Sequence, residues 1–171
     1  MHQVVAVLVE KKKDTHIASV ISKAQEVVKE KEGKVFDYYQ SPLYRWDLNL
    51  KDAIAVIKTD VGPLVIFDLA SNMGIEILTK LWYAMYREVK NDIEKLKQFF
   101  EKNKDIPTRI LATRWMEDFH ARFWAYYLSL ENVPDNQIFD EDGEPIVGPS
   151  ELCKYLKNRD KYYIIPFDVH V

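Results

Sequence analysis

The sequence has few of the residues on which several familiar kinds of site depend. Its 171 residues include one cysteine, Cys153, which excludes an internal disulfide framework and a zinc site built from cysteines. A lone thiol fits a reducing compartment, so we expect a cytoplasmic protein. Only five glycines occur, and neither GxGxxG nor GxxxxGK[ST] is present. A glycine-rich loop that cradles nucleotide phosphates is therefore excluded.

Long apolar runs are also lacking. No stretch approaches the roughly 20 apolar residues that span a bilayer. Charges follow the first apolar run, residues 4–9, instead of preceding it, which is unlike a secretory leader. We therefore expect no membrane partner. The formal net charge of -3 argues against attraction of nucleic acid to the whole surface, although a local basic groove is compatible with it.

The chain contains enough apolar residues for the core of one well-packed domain and enough charged residues for its surface. Hydrophobic residues make up 47% of the chain, which suits a single domain over residues 1–171 with one large core. Charged residues make up 30% and are mostly Lys and Glu, a composition compatible with a thermophilic source.

The first half of the chain alternates strand and helix patterns. The β-branched run at residues 4–9 predicts a buried strand. Apolar spacing over residues 17–28 predicts a helix that is capped by Asp14 or Thr15 and stops at Gly33. A strand over residues 34–40 should follow.

A hairpin and a long helix come next. Residues 53–58 and 64–70 predict two strands joined by a short turn, hence an antiparallel hairpin. Ser71 or Asn72 should cap a helix whose apolar stripe extends over residues 73–103, unusually long for a globular protein. Such a helix either bends near its middle or projects and packs on a partner.

The last third continues the mixed pattern. It predicts a strand at 108–113, an aromatic-striped helix at 115–130, a hairpin at 138–147, a short helix at 151–158 and a strand at 162–169. A hairpin placed between helices favours a mixed α/β (α+β) domain with a mixed central sheet, not a doubly wound parallel sheet.

Two aspartates stand at the ends of the predicted hairpin strands. Asp52 precedes the first strand and Asp68 ends the second. Carboxylates at neighbouring strand ends are suitable ligands for a divalent cation such as Mg²⁺.

Residues 15–114 resemble the αβββαβ core of the PD-(D/E)xK nuclease superfamily. In that family an aspartate begins the second core strand, and an Asp/Glu-x-Lys tripeptide ends the third. Asp52 matches the first position, and Asp68-Leu69-Ala70 matches the tripeptide with alanine in place of the lysine. The resemblance implies a Mg²⁺-dependent nuclease that hydrolyses phosphodiester bonds of nucleic acid, or a degenerate member of the fold. Residues 115–171 would then be additions to that core.

The resemblance also implies roles for other residues. Glu26 or Glu30 on the first helix would add a metal ligand beside Asp52 and Asp68. Because Ala70 removes the motif lysine, Lys80 or Lys58 would have to supply the catalytic cation. The nucleic-acid strand would contact three neighbouring residues, Tyr44, Arg45 and Trp46.

Alternative interpretations remain open. Asp52 could cap a strand and Asp68 could pair with Arg109 or Arg114, which would make both structural. The protein would then be a non-catalytic binding or assembly protein that forms homo-oligomers through helix 73–103. A small-molecule enzyme with a pocket near His120 is a third hypothesis.

Two further groups have ordinary explanations in the sequence. Lys11, Lys12 and Lys13 form a triplet between a strand and a helix, which predicts a solvated loop. His2 and His170 are far apart in the chain and have no spacing typical of metal ligands.

Overall fold

The first and last strands of the chain form the centre of a mixed sheet. The computed structural model describes residues 1–102, 104, 138–146 and 149–171. Within these residues the strands are β1 (His2–Glu10), β2 (Tyr38–Gln40), β3 (Ala53–Thr59), β4 (Gly62–Asp68), β5 (Ile138–Phe139) and β6 (Tyr162–His170), and the helices are α1 (Ile17–Lys31), α2 (Asn72–Lys102) and α3 (Pro149–Lys157). β1 pairs antiparallel with β6 along its whole length. The predicted fold class, a single α/β domain with a mixed sheet, is confirmed.

β6 pairs with three strands of the sheet. One of its edges pairs with β1, and β4 and β2 share the other edge. The sheet order is β3-β4-β6-β1-β5, and β2 also pairs with β6. β4 meets the beginning of β6, where Asp68 lies opposite Tyr163. β2 meets the end of β6, where Gln40 lies opposite Asp168. β6 therefore has one end beside β4 and another beside β2.

Each face of the sheet is covered by one of the first two helices. Odd-numbered residues of β1, such as Val5 and Val7, pack with α1 in one buried cluster. Even-numbered residues, such as Ala6 and Leu8, pack with the first turns of α2 in a second cluster. Burial on both faces explains why β1 is a continuous apolar run and not an alternating one.

Several predicted elements are confirmed and some have different bounds. The antiparallel β3–β4 hairpin and the long helix are both present. Ser71 caps α2 as predicted, since its Oγ accepts a hydrogen bond from the Gly74 amide at 3.0 Å. α1 begins after His16, which makes no side-chain capping bond. The strand predicted at 34–40 is shorter because only Tyr38–Gln40 reaches β6.

The acidic turn after β5 is tied to the loop after β1 and to α1. Glu141 accepts hydrogen bonds from Lys12 Nζ at 3.2 Å and forms an ion pair with Lys23 at 3.1 Å. Burial alone would raise the pKa of Glu141, but the two lysines outweigh it and lower this pKa below its usual value. The turn itself is short, and Gly143 provides its positive φ of 82°.

Some predictions concern residues outside the described part of the chain. These are the strand at 108–113, the helix at 115–130 and the residues Arg109, Arg114 and His120. Among the described helices, none has the length and apolar character needed to cross a membrane.

Candidate functional site

Asp52 lies at the amino end of α2, where it acts as a cap. Its Oδ2 accepts a hydrogen bond from the Met73 backbone N–H at 3.0 Å. Ser71 accepts from the next amide, Gly74, so two of the four unpaired N–H groups of this helix end have side-chain partners. The half-buried Asp52 carboxylate therefore stabilises the helix start.

Asp68 forms a turn bond and an ion pair at the end of β4. Its Oδ1 accepts from the Ala70 amide at 2.9 Å, which shapes the turn into α2. Its Oδ2 accepts from Lys11 Nζ at 2.6 Å. The same ammonium donates to the Asp160 carbonyl at 2.9 Å and lies 5.1 Å from the ring centroid of Tyr163. Lys11 is thus held in place and half-buried, whereas Lys12, which pairs with Glu141, and Lys13 are exposed.

The remaining residues that the nuclease resemblance implies lie elsewhere. Glu26 and Glu30 are exposed on α1, which packs on the sheet face opposite α2. Lys58 lies opposite Pro63, roughly 16 Å along the hairpin from Asp68. Lys80 pairs with Glu76 on the surface of α2. Within the described residues, no group of three or more His, Cys, Asp or Glu side chains is arranged to hold a metal ion.

The other end of β6 contains a carboxylate that the sequence did not mark. Asp168 is fully buried. It accepts hydrogen bonds from His2 Nδ1 at 3.0 Å, Gln40 Nε2 at 2.6 Å and Trp46 Nε1 at 3.1 Å. The Arg45 Nε atom lies 3.7 Å from it. A buried carboxylate is stable only when paired in this way, so the four donors fix one another's positions.

Two histidines complete this end of the sheet. His2, His170 and Tyr38 lie side by side on β1, β6 and β2, because the strand registers align them. The rings of Tyr38 and His170 are stacked, with centroids 5.0 Å apart and planes 4° apart. His2 meets His170 edge-on at 5.0 Å. His170 also contacts Asp37 through Nδ1 at 3.1 Å.

We use the name aromatic surface for five side chains at this end of the sheet: the exposed Tyr38, Tyr44, Arg45 and Trp46 and the half-buried His170. Tyr44 is 63% exposed, and its hydroxyl packs against Gly62 at the hairpin turn. A Cβ at Gly62 would come within 2.7 Å of that hydroxyl, so glycine is required there. The nuclease resemblance placed residues 44–46 beside Asp52. In the structure they lie at the turn end of the hairpin, whereas Asp52 precedes its other end.

A separate apolar area lies on β3. Ile54 and Val56 are 48% and 47% exposed, although both are β-branched strand residues. β3 is the outermost strand at its side of the described sheet. A bulge interrupts its pairing with β4 between Ala53 and Ala55.

Sequence patterns missed His2, Asp168 and His170 because each stands alone in the chain. The missing signal was the pairing of the two terminal strands, which are both long and apolar. Had that pairing been assumed, His2 would have been aligned with His170 and Asp168 with Val4.

Comparison with known proteins identifies a family without assigning an activity. No curated protein and no solved structure matches the chain. One family model matches residues 1–171, the whole chain. The protein therefore belongs to the family described as Domain of unknown function (DUF7995).

Proposed function

We propose that this protein acts by binding a second copy of itself, and that the exposed side of β3 forms the contact. The observation that supports this most directly is the exposure of Ile54 and Val56 on the outermost described strand. Native proteins usually protect such an edge with charges, because its backbone N–H and C=O groups can pair with another strand.

A second copy suits this surface because an edge strand is complementary to itself. Antiparallel pairing of two β3 strands about a two-fold axis would bring Ile54 and Val56 of both copies together. The exposed side chain of Leu50 adds apolar area at the beginning of the strand. The bulge and Lys58 shorten the length available for pairing, so we expect a reversible dimer and not an open-ended fibre.

The long helix offers an alternative contact area for a second copy. Its early apolar residues Met73, Ile77 and Leu78 are buried on the protein's own sheet. Farther along, Tyr83 and Tyr86 are exposed, and Tyr86 stacks on Trp82. A helix of 31 residues is about 46 Å long, whereas a nine-residue strand spans about 30 Å. α2 is therefore longer than the strands of the sheet, and its exposed tyrosines are the alternative area for contact.

The test is the molar mass in solution, measured by light scattering and sedimentation over a wide range of concentration. The wild-type mass should rise towards that of a dimer. Val56→Lys should keep the protein monomeric, because two buried ammonium groups would face each other across the axis. Tyr83→Lys is the matched control on α2, and it should leave the dimer intact.

Other results would change or remove the proposal. A dimer lost in Tyr83→Lys and kept in Val56→Lys would move the contact to α2. A wild-type protein that stays monomeric at all concentrations would contradict self-association.

A metal-dependent nuclease is a second candidate, and one contact favours it. Lys11 brings an ammonium to 2.6 Å from Asp68, the carboxylate whose motif lysine is replaced by Ala70. A cation beside a metal-binding carboxylate is what stabilisation of a phosphoryl transition state requires. Asp52 and Asp68 would be the Mg²⁺ ligands in this candidate, and the metal would compete with Lys11 for Asp68.

Cleavage assays test this second candidate. Single- and double-stranded DNA and RNA would be incubated with Mg²⁺ or Mn²⁺. Activity should be lost in Asp68→Ala and reduced in Lys11→Met, while the exposed Lys13→Met serves as control. Wild-type protein that cleaves none of these substrates would rule the candidate out.

A further inference from the structure

We propose that His2 and His170 together bind one divalent transition-metal ion through their Nε2 atoms. The two residues lie directly opposite each other on β1 and β6, so their side chains are on the same face of the sheet. Their ring centroids are 5.0 Å apart. Two imidazoles that share one tetrahedral zinc ion, with Zn–N bonds of about 2.0–2.1 Å, have centroids about 5 Å apart. The strand register therefore holds the rings at the separation that a shared metal requires.

The Nε2 atom is the free nitrogen of each ring because a carboxylate binds the other nitrogen. His2 Nδ1 lies 3.0 Å from Asp168 Oδ2, and His170 Nδ1 lies 3.1 Å from Asp37 Oδ2. An ionised carboxylate only accepts hydrogen bonds, so Nδ1 carries the proton and Nε2 keeps its lone pair in the neutral ring. Histidines that ligate metals almost always donate their other ring N–H to a partner of this kind. Both histidines are thus oriented as metal ligands.

The contacts of the two Nε2 atoms agree with this tautomer. The Met1 nitrogen, which is a donor, lies 3.3 Å from His170 Nε2, so that Nε2 accepts. Among the described residues, His2 makes its hydrogen bond through Nδ1 and none through Nε2. Met1 is largely exposed, so a metal ion can displace it from His170 at little cost. The rings of both histidines are half-buried, which leaves the site open to solvent on one side.

The buried carboxylate positions a ligand without becoming one. Asp168 is fully buried and also accepts hydrogen bonds from Gln40 and Trp46, so it cannot turn towards a metal ion beside the rings. The protein ligands are therefore the two imidazoles, and water completes the coordination. Binding should accordingly be weaker and more labile than at a structural zinc site with four protein ligands.

The donor atoms select the kind of cation. Imidazole nitrogen suits Zn²⁺, Cu²⁺ and Ni²⁺, whereas Mg²⁺ prefers oxygen ligands. The site is therefore distinct from the Mg²⁺ site of the nuclease candidate, which would use Asp52 and Asp68. It also goes beyond self-association through β3, because neither histidine lies on that strand.

The experiment is a calorimetric titration of the full chain, without a histidine tag, with Zn²⁺. One Zn²⁺ should bind per chain, and Mg²⁺ should not bind at this site. His2→Asn and His170→Asn each keep a side-chain donor near the Nδ1 position and remove Nε2, so both should lose Zn²⁺ binding. His16→Asn is the matched control, since His16 is an exposed histidine at the start of α1, and it should bind as wild type does.

Two further measurements separate ligation from a structural role. The ¹⁵N resonances of the imidazoles should show Zn²⁺ at Nε2 of both His2 and His170. Asp37→Ala should keep one Zn²⁺ per chain but lower the affinity about tenfold, the effect of losing an outer partner of a metal ligand. Thermal melts without metal would show that each variant is folded.

Several results would overturn the proposal. These are folded wild type that binds no Zn²⁺, binding that persists in both His2→Asn and His170→Asn, and resonance shifts confined to His16. Val56→Lys should bind Zn²⁺ as wild type does, so failure of the metal site and failure of the β3 dimer can be told apart.

Discussion

A carboxylate lies at each end of β6, Asp68 of the neighbouring strand β4 at its beginning and Asp168 of β6 itself near its end, and the two are satisfied in different ways. At the beginning of β6, Asp68 is partly exposed and binds the Ala70 amide and the Lys11 ammonium. At the end of β6, Asp168 is fully buried and binds side chains from β1, β2 and the loop after β2. The first arrangement joins Asp68 to a neighbouring amide and to one distant side chain, whereas the second joins side chains from three separate parts of the chain.

The difference shows that burial decides how much a carboxylate contributes to the fold. Water can replace the partners of an exposed Asp68, so each of its contacts contributes little to the free energy of unfolding. Water cannot replace the partners of Asp168. Removal of the carboxylate, or of one of its donors, therefore leaves the remaining groups unpaired in the protein interior. Variants at the two ends should therefore differ in stability, and their ranking tests the comparison.

The largest effect should come from Asp168→Ala. Removing the carboxylate leaves the His2, Gln40 and Trp46 donors without their buried acceptor. We expect a loss of about 3–5 kcal/mol in the free energy of unfolding, measured by urea denaturation. Asp37→Ala, which removes an exposed partner of His170, is the control and should cost less than about 1 kcal/mol. Similar losses of unfolding free energy in Asp168→Ala and Asp37→Ala would contradict the expected difference between a buried and an exposed carboxylate.

Trp46→Phe should have an intermediate effect. The aromatic ring is kept, but the Nε1 hydrogen bond to Asp168 is lost. The expected cost is about 1–2 kcal/mol, because a donor to a buried carboxylate is removed. Tyr44→Phe on the same surface is a suitable control in the same denaturation series, since Tyr44 is largely exposed. A neutral Trp46→Phe would indicate that the bond does not stabilise the fold.

Asp52→Ala should cost about 1 kcal/mol, the usual contribution of a helix cap. The loss comes from the Met73 amide at the start of α2, so helix content by circular dichroism should melt earlier. Asp47→Ala, an exposed aspartate nearby, should change stability by less than about 0.5 kcal/mol. A cost as large as that of Asp168→Ala would show that Asp52 does more than cap α2.

The smallest effect should come from Lys11→Met. The ion pair with Asp68 is partly exposed, so its loss should cost at most about 1 kcal/mol and less at high salt. Thermal melts at low and high ionic strength would measure both points. A loss of several kcal/mol that salt does not reduce would place this pair in the same class as Asp168.

Much of the fold could be predicted from local patterns. The period-3.6 stripe from Ile17 to Val28 gives α1, and the short turn between two β-branched runs gives the β3–β4 hairpin. Ser71 could be predicted as the cap of α2 because its hydroxyl needs only an amide three residues later. These features depend on contacts between residues that are close in the chain, so local sequence patterns predict them.

The candidate sites were harder to predict because their partners are distant in sequence. Asp68 was expected to need an arginine or a new lysine, and its partner is Lys11, 57 residues away in a triplet that resembled a solvated loop. Trp46 was expected to flank a site at Asp52, six positions later, whereas its hydrogen bond goes to Asp168. Proximity along the chain was a poor guide to which carboxylate each donor reaches.

By itself the sequence determined most of the described strands, the first two helices, the mixed α/β class and the exclusion of cysteine and glycine-loop sites. The tertiary structure decided which charges meet. The antiparallel pairing of β1 with β6 aligns residue 2 with residue 170, and it places Asp168 where only side chains can satisfy it. That outcome follows from strand register, a relation between distant segments that no local pattern specifies.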